Sequence, residues 1–419
     1  MTRSAYGLPT PAEDARLTRV GPGTPAGELL RRYWQPVALS AEVTDLPRRV
    51  RVLGEDLVLF RPLSVNAGEP APVSCLQLHC PHRGTSLEWG RVEAGGIRCC
   101  YHGWLLDGDG RVTEMLCEPP GTAERLGIQQ PGYPARELGG LVFVYLGPPE
   151  REPALPWFDV MARPDVELQG ARLWGEYAIG YVRDCNWLQH LENVVDPWHL
   201  IALHTHISGA QFGGAMGQRD LPDITMETTD VGVRYVVHRE VANGNRLRRC
   251  TEIVFPNVAL IPSIHETGEV CKERDKPTDI SWVVPIDDTH VAALTMLAVP
   301  LVDGRPDPAF RPGTDTETRG PDGELIRPGF RPARTYEDRQ RRPDDMEAQE
   351  GQRPIAVHAL EHLVSSDRGV LLYRRQLRQQ LDAVERGADP LNWFPASSFG
   401  VGGRPEPLPT NAYNTIRPG

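Results

Sequence analysis

The chain has 419 residues, 40% of them apolar and 24% charged, with a net charge of −11. That balance excludes a nucleic-acid partner, because phosphate binding needs clustered Lys and Arg. It also lacks any unbroken apolar run near the ~18 residues of a membrane-spanning helix. The start, Met1 to Val20, is polar and carries no basic end or apolar stretch of a leader, so a cytoplasmic location is expected. The length suits two or three domains. Eight cysteines are too sparse for a disulfide scaffold. Four of them, Cys75, Cys80, Cys99 and Cys100, share one 26-residue window with His79 and His82, His102 follows two residues on, and such a cluster reads first as a metal site.

In chain order, residues 1–35 form an N-terminal segment. A capped helix is expected over roughly 10–35, ending in Leu29-Leu30-Arg31-Arg32-Tyr33-Trp34. Residues 36–150 read as a small all-β domain. Arg49 to Leu53 and Leu57 to Phe60 flank Gly54-Glu55-Asp56, a hairpin signal. Further short strands are expected around Ser74 to Leu78, Gly96 to Cys99 and Leu141 to Leu146. Gly147-Pro148-Pro149 through Pro156 marks a boundary. Residues 151–419 open with Tyr177 to Arg183 and a helix from Asp184 to about Leu203. Strand-like runs follow at Val231 to Val241, Cys250 to Ile261, Ile280 to Pro285 and His290 to Pro300, which suggest an antiparallel sheet. Residues 303–343, rich in Pro, Gly and charge, read as a long surface excursion. Asp345 to Gly387 is helical again, with Leu371, Leu372, Leu377 and Leu381 on an apolar face. The fold class expected is therefore α+β. There is no internal repeat, and no glycine fingerprint for a dinucleotide.

The first constellation is Cys80-Pro81-His82-Arg83-Gly84 followed by Cys99-Cys100-Tyr101-His102-Gly103-Trp104. Reduced to ligand types it is C-x-H, sixteen residues, then C-x-x-H. Each pair fits one tight loop, and the spacer can run out and back as two strands. Two Cys and two His can hold a structural zinc or a Rieske [2Fe–2S] cluster, in which two histidines replace two cysteines on one iron. Spacing alone does not choose. C-P-H-R-G with C-x-Y-H-G-W closely resembles the signature of Rieske non-heme iron oxygenases. The resemblance implies that Cys80 and Cys99 ligate one iron and His82 and His102 the other. Cys100 could instead form a Cys100-x-His102 pair. Cys75 and His79 read as ordinary strand residues.

The second constellation runs from Asn186 to His204. Activation of O₂ needs Fe(II) held by three protein groups, commonly two His and one carboxylate, with positions left open. His199 and His204 are five apart, about 140° of rotation on an ideal helix, so a distorted helix is expected around Pro197. Asp196, three before His199, can share its face. On its own D-x-x-H-x-x-x-x-H is a weak pattern, and such a pair is more often structural. The family carries the same E-N-x-x-D-x-x-H-x-x-x-x-H text. The resemblance implies that His199 and His204 bind iron, and that Asp196 bridges one of them to a cluster histidine of a neighbouring subunit. His190 and His206 would line the pocket or an interface. For the third ligand it points to Asp345, in Pro343-Asp344-Asp345-Met346-Glu347-Ala348-Gln349-Glu350, with Asp344 the alternative; either could simply cap a helix. The D-x-x-x-Q-E text and Glu361-His362-Leu363-Val364-Ser365-Ser366-Asp367-Arg368 are similar to the phthalate dioxygenase-like branch.

The resemblance implies a Rieske β domain followed by a helix-grip (START-like) catalytic domain with an antiparallel sheet, assembled as a homotrimer or homohexamer. It implies one [2Fe–2S] cluster and one Fe(II) per chain, and electrons from a separate NAD(P)H-dependent reductase, with or without a ferredoxin. O₂ would then hydroxylate, cis-dihydroxylate or oxidatively demethylate a small organic substrate, an aromatic carboxylate being the family-level expectation. The rival reading is a Rieske electron carrier fused to a ligand-binding domain.

Overall fold

The computed structural model describes residues 11–63, 71–172, 182–209, 211–264, 266–310, 318–319, 325–326, 335–396 and 406–419. The chain opens with two short helices, α1 (Ala15–Thr18) and α2 (Pro25–Leu30), in place of the single helix expected over 10–35. Gly21-Pro22-Gly23 separates them, with Gly23 at φ 77°. Thr24 then caps α2 through the Gly27 N–H, and Pro25 takes the first helical position, where a missing N–H costs nothing.

Three small sheets follow. Arg48–Val52 pairs with Glu55–Phe60 across Leu53-Gly54, both at positive φ (49° and 78°). That geometry matches the natural strand twist, and it sets the turn one residue earlier than Gly54-Glu55-Asp56. The hairpin continues through Ser74–Gln77 to Gly132–Tyr133. A second sheet is the meander Arg91–Glu93, Gly96–Arg98, Trp104–Leu106, Val112–Met115, followed by α3 (Thr122–Leu126). The second sheet rests on a small core of its own that includes Leu78, Leu87, Ile97 and Leu106; the first sheet lends Val58, Phe60 and Leu76 to that core and Val50, Val52, Leu57, Leu59 and Cys75 to the main one. The third sheet, Gln35–Leu39 with Leu141–Val144 and Ala135–Leu138, belongs to the main core instead. Phe143 meets Trp282 edge-on at 5.3 Å, and the Leu53 and Gly54 N–H groups donate to the Pro285 and Ile286 carbonyls (both 2.9 Å).

The second half is built on one antiparallel sheet in the order Val166–Ala171, His290–Val302, Asp279–Asp287, Val258–Leu260, Arg246–Val254, Gly232–Glu240, Asp223–Thr228. The run expected over Cys250 to Ile261 splits in two at Phe255-Pro256-Asn257, since proline has no N–H for the ladder. Of the opening run from Tyr177 to Arg183, residues 177–181 lie outside the described residues; Val182–Arg183 is a strand that pairs with His290–Val302. Around the sheet come α4 (Trp187–Val194), α5 (Trp198–Ile201), the exposed α6 (Tyr336–Arg341), α7 (Asp345–Glu350) and α8 (Arg368–Glu385). Much of 303–343 lies outside the described residues. The face α8 buries is Val370, Tyr373, Leu377 and Leu381 together with Arg374, while Leu371, expected there, is 48% exposed. A period of 3.6 puts 370, 373, 377 and 381 in line and turns 371 away. Among the described residues no helix is long and apolar enough to cross a membrane.

Candidate metal centres

The first site is made by two loops that close in the same way. The Cys80 N–H donates to the Thr85 carbonyl (2.9 Å) and the Gly84 N–H returns to the Cys80 carbonyl (2.9 Å). The Cys99 N–H donates to the Trp104 carbonyl (2.9 Å) and the Gly103 N–H returns to the Cys99 carbonyl (3.1 Å). Gly84 and Gly103 adopt matching left-handed conformations, φ 74° and 69°, which bulkier residues reach only with strain. Superposing one loop on the other sets Cys99 opposite Cys80 and Cys100 opposite Pro81. Cys80 and Cys99 are both 3% exposed, whereas Cys100 is exposed to solvent.

The Cys80 and Cys99 thiols are hydrogen-bond neighbours. Burial pushes the Cys80 thiol up to about 11, while the His82 and Arg83 backbone N–H groups aimed at its sulfur pull the other way. A coordinated cation would reverse that balance and take the proton off outright. His82 stacks on Trp104 (4.5 Å, 5°) and meets His102 at 4.5 Å and 69°. The thiols are thus paired inside and the imidazoles paired outside, His82 being exposed. Each loop gives one of each, which fits a two-iron centre with unlike ends. Cys75 is buried in its strand, and His79 is exposed with Nδ1 on the Gly84 carbonyl (3.1 Å); neither joins the group.

The second site begins where the helix expected over Asp184 to Leu203 breaks. Asn186 caps α4 through the Leu188 N–H (3.1 Å), and α4 stops ahead of Pro197, which cannot donate to the preceding turn. The Asp196 carboxylate accepts the Trp198 N–H (2.9 Å) and starts α5. After Ile201 the chain widens into a π-helix, Ala202–Ile207, and the Ser208 N–H reaches back five residues to the Leu203 carbonyl (3.0 Å). The wider turn supplies the expected distortion and brings residues five apart towards one side. The His199 and His204 rings lie 5.3 Å apart.

The third group arrives at the start of α7. Asp344 is the N-cap: its carboxylate takes the Asp345 N–H (2.8 Å), and Glu347 reciprocates on the Asp344 N–H (2.8 Å). Asp345 is left free for the site. Its Oδ1 lies 3.2 Å from His204 Nε2, 3.6 Å from His199 Nε2 and 3.0 Å from Asn193 Nδ2. The candidate ligand atoms of His199, His204 and Asp345 lie within 4.8 Å of one another. His204 Nδ1 engages the Gln211 side-chain oxygen, and His199 Nδ1 engages the Asp196 main-chain carbonyl. Both rings therefore present Nε2 to the same point, the arrangement by which a second layer of groups orients metal ligands. The contact from Asp196 to His199 thus comes from its carbonyl, and its half-buried carboxylate caps α5.

The electrostatics suit a cation. Burial alone would raise the Asp345 pKa, but His204, His199 and Arg183 overturn this and hold it well below the usual carboxylate range. Burial alone would lower that of His204, but Asp345, Gln211 and Asp344 outweigh it and hold it at about 9. A metal and protons therefore compete for the same three groups. His190 lines the neighbouring cavity, with Nδ1 on Gln349 (3.0 Å), and burial keeps it neutral at about 3. His206 is exposed on the Arg219 carbonyl (3.0 Å), outside the site.

The cavity beside the three groups has apolar walls that include Leu200, Phe212, Ile261 and Val283. A second cavity lies between Trp34, Trp157 and Phe255, but among its described lining residues there is no histidine or cysteine. A second convergence of acids and histidine, Glu192, Glu361 and His358, is an ion-pair brace. Arg374 fills it with four contacts of 2.5–3.0 Å to the two glutamates. The sequence reading missed Gln211 and the two buried arginines of the cavity, Arg183 and Arg249. Asn193 lay in the quoted motif without a role. Nothing in the spacing of Gln211 could have marked it.

Two Cys–His loops ahead of a 2-His-1-carboxylate group on a helix-and-sheet scaffold are the equipment of an oxygen-activating iron enzyme. The Rieske [2Fe–2S] domain family matches residues 33–132. The phenoxybenzoate dioxygenase subunit alpha of Ectopseudomonas oleovorans is 40% identical over 408 residues, covering 92% of this chain and 89% of that one. The tert-butanol monooxygenase / tert-amyl alcohol desaturase oxygenase subunit of Aquincola tertiaricarbonis is 39% identical over 392 residues, covering 89% and 77%. In fold, the chain is similar to the terminal oxygenase of carbazole 1,9a-dioxygenase from Novosphingobium sp. KA1, at a TM-score of 0.52 and 22% identity over 86% and 93% of the chains. The chain belongs to the Rieske non-heme iron oxygenases, as an oxygenase (alpha) subunit of the phthalate dioxygenase-like branch. It is an α+β oxidoreductase with a [2Fe–2S] domain.

Proposed function

We propose that this oxygenase component stores an electron on a cluster held by Cys80, Cys99, His82 and His102, and activates O₂ at Fe(II) held by His199, His204 and Asp345. The substrate is aromatic, and the outcome is hydroxylation, dihydroxylation or oxidative demethylation. The observation that carries this is the convergence of one Asp345 oxygen on two imidazole nitrogens, at 3.2 and 3.6 Å, on the wall of an apolar cavity. When bound, the mononuclear iron supplies the site where O₂ is reduced. The chain's own residues do the rest. Gln211 and the Asp196 carbonyl hold the two imidazoles in register. Asn193 steadies the carboxylate. The apolar walls keep water from the reacting atoms.

The Asp196 carboxylate is the proposed bridge to a cluster histidine of a neighbouring copy, within a homotrimer or homohexamer. Support comes from the rim of the first site, where exposed Trp89, Tyr101 and Leu116 lie close to His82 and His102 in the chain and so offer apolar surface for another chain. Electrons come from a separate NAD(P)H-dependent reductase, directly or through a ferredoxin; the oxygenase of carbazole 1,9a-dioxygenase is known in complex with its ferredoxin. The enzyme works in the cytoplasm. The test is O₂ uptake by iron-loaded protein with a generic reductase, over a panel of aromatic acids and ethers. Substrate-dependent uptake with an oxygenated product is expected. A cluster that is reduced normally while no aromatic compound provokes O₂ uptake would overturn the reading.

A further inference from the structure

His190 belongs to the wall of the cavity beside His199, His204 and Asp345, yet no step of the oxygenase reading uses it. It sits on α4, one helical turn before Asn193, and is 9% exposed. Its Nδ1 meets the Gln349 side-chain oxygen at 3.0 Å. With the amide placed so, that oxygen can only accept, and Nδ1 carries the ring proton. His190 lines the cavity, and Gln349 is not among the described lining residues. The bonded edge of the imidazole is therefore turned away from the chamber, and Nε2 is turned towards it.

Burial, helped by the nearby Arg183 charge, keeps the ring neutral, at about 3. Nε2 is thus a lone-pair acceptor. It has no partner among the described residues, and it is not sealed from solvent. The acceptor is also held still. Gln189, its neighbour in the chain, donates to the Gln349 and Arg353 carbonyls (both 2.9 Å) and accepts the Ala356 N–H (2.8 Å). These bonds tie α4 to the end of α7 and to the chain beyond it. A fixed, neutral acceptor in an apolar chamber discriminates between ligands. An O–H or N–H donor gains a hydrogen bond there, while a carboxylate or an ether oxygen sets lone pair against lone pair. Among donors an aryl hydroxyl suits the chamber: it is neutral and carries an apolar ring, whereas an ammonium would enter beside Arg183 and Arg249.

We infer that His190 is a specificity residue, whose Nε2 receives the hydroxyl of a phenolic ligand with its ring among Leu200, Phe212, Ile261 and Val283. This deepens the oxygenase reading and rests on it only for what becomes of the ligand.

The experiment is calorimetric titration of the iron-loaded enzyme, its cluster oxidised and under nitrogen, with 2-naphthol and with 2-fluoronaphthalene, which has nearly the same shape and no donor. 2-Naphthol should bind tighter, by about fivefold. In His190→Phe a ring remains but the acceptor is gone. The hydroxyl is then buried without a partner, and 2-fluoronaphthalene should become the tighter ligand. Should His190→Phe fail to fold, His190→Leu asks the same question, with the same inversion expected. A wild type that binds the two equally, or prefers 2-fluoronaphthalene, overturns the assignment, even where O₂ uptake on other aromatics keeps the oxygenase reading standing. A naphthol lead kept in full by His190→Phe or His190→Leu overturns it too, since the hydroxyl would then rest on the iron or on another wall group. A lead that inverts on loss of the imidazole supports the assignment, even where the absence of O₂ uptake defeats the oxygenase reading.

Discussion

The two candidate centres of this chain are built on opposite principles. The cluster site is written in one short stretch: two loops close by the same pair of backbone hydrogen bonds, and every proposed ligand lies between Cys80 and His102. The mononuclear site is assembled across the fold. A π-helical turn brings His204 round towards His199, and α7 brings Asp345, 141 residues away from His204, to 3.2 Å from it. The first is a local device beside a small core; the second exists only because the fold brings α5 and α7 together, α7 packing on α4, α4 on the large sheet, and Trp198 of α5 on Met226, Tyr235 and Val237. Damage to the first should therefore stay in its loops, while the second should be emptied of metal without loss of the fold.

The sharpest break of that contrast is within the cluster loops. Cys99→Ser should abolish the reddish-brown cluster spectrum and all turnover, while Cys100→Ser, at the position matching Pro81, leaves both intact. Visible absorption checks it, and the reverse pattern would sink the loop-superposition argument. Next comes His204→Ala, which should keep the full cluster spectrum and abolish product; retained turnover would remove His204 from the ligand set. Asp196→Asn should leave both centres filled yet slow electron transfer drastically, seen as cluster re-oxidation under single turnover. Normal rates there would end the bridge proposal.

Smaller effects sharpen the second site. Gln211→Leu should weaken iron binding at the mononuclear site by about 10–100-fold, as loss of a ligand-orienting group does, with the cluster untouched. Iron titration against a chelator reads this directly, and unchanged affinity would reduce Gln211 to a packing residue. The mildest change is Asp344→Asn. Asparagine also caps, so stability should shift by less than about 1 kcal/mol with the mononuclear iron retained. Loss of iron in that variant, with retention in Asp345→Asn, would exchange the roles of the two acids.

The same contrast explains what the sequence could disclose. C-x-H and C-x-x-H loops are local, so residue types and spacing were enough to mark Cys80, His82 and His102 as a metal-binding cluster, while the [2Fe–2S] reading came from the resemblance. The resemblance favoured Cys99 over Cys100, and the loop closures, which only the backbone shows, support it by setting Cys99 opposite Cys80. The five-residue spacing of His199 and His204 announced a distorted helix; that a π-turn supplies it depends on hydrogen bonds no spacing reveals. Asp345 against Asp344 was legible only through resemblance, and the capping geometry of α7 separates them. The strands Val166–Ala171 and Asp223–Thr228 went unseen although Val166-Glu167-Leu168-Gln169 and Ile224-Thr225-Met226-Glu227 alternate apolar with polar, because each run gives only two apolar positions and is mostly half-buried or exposed. Arg249 was invisible for a related reason. Among 45 Lys and Arg residues, nothing in the chain distinguishes the two, Arg183 and Arg249, that line the cavity.

The most direct trial of two unlike iron centres in one polypeptide is the ratio of iron to acid-labile sulfide in anaerobically loaded protein. Two irons and two sulfides belong to the cluster and one further iron to His199, His204 and Asp345, so about three irons to two sulfides per chain are expected. A ratio of two to two in fully loaded wild-type protein would contradict the account, leaving an electron carrier with no site for oxygen.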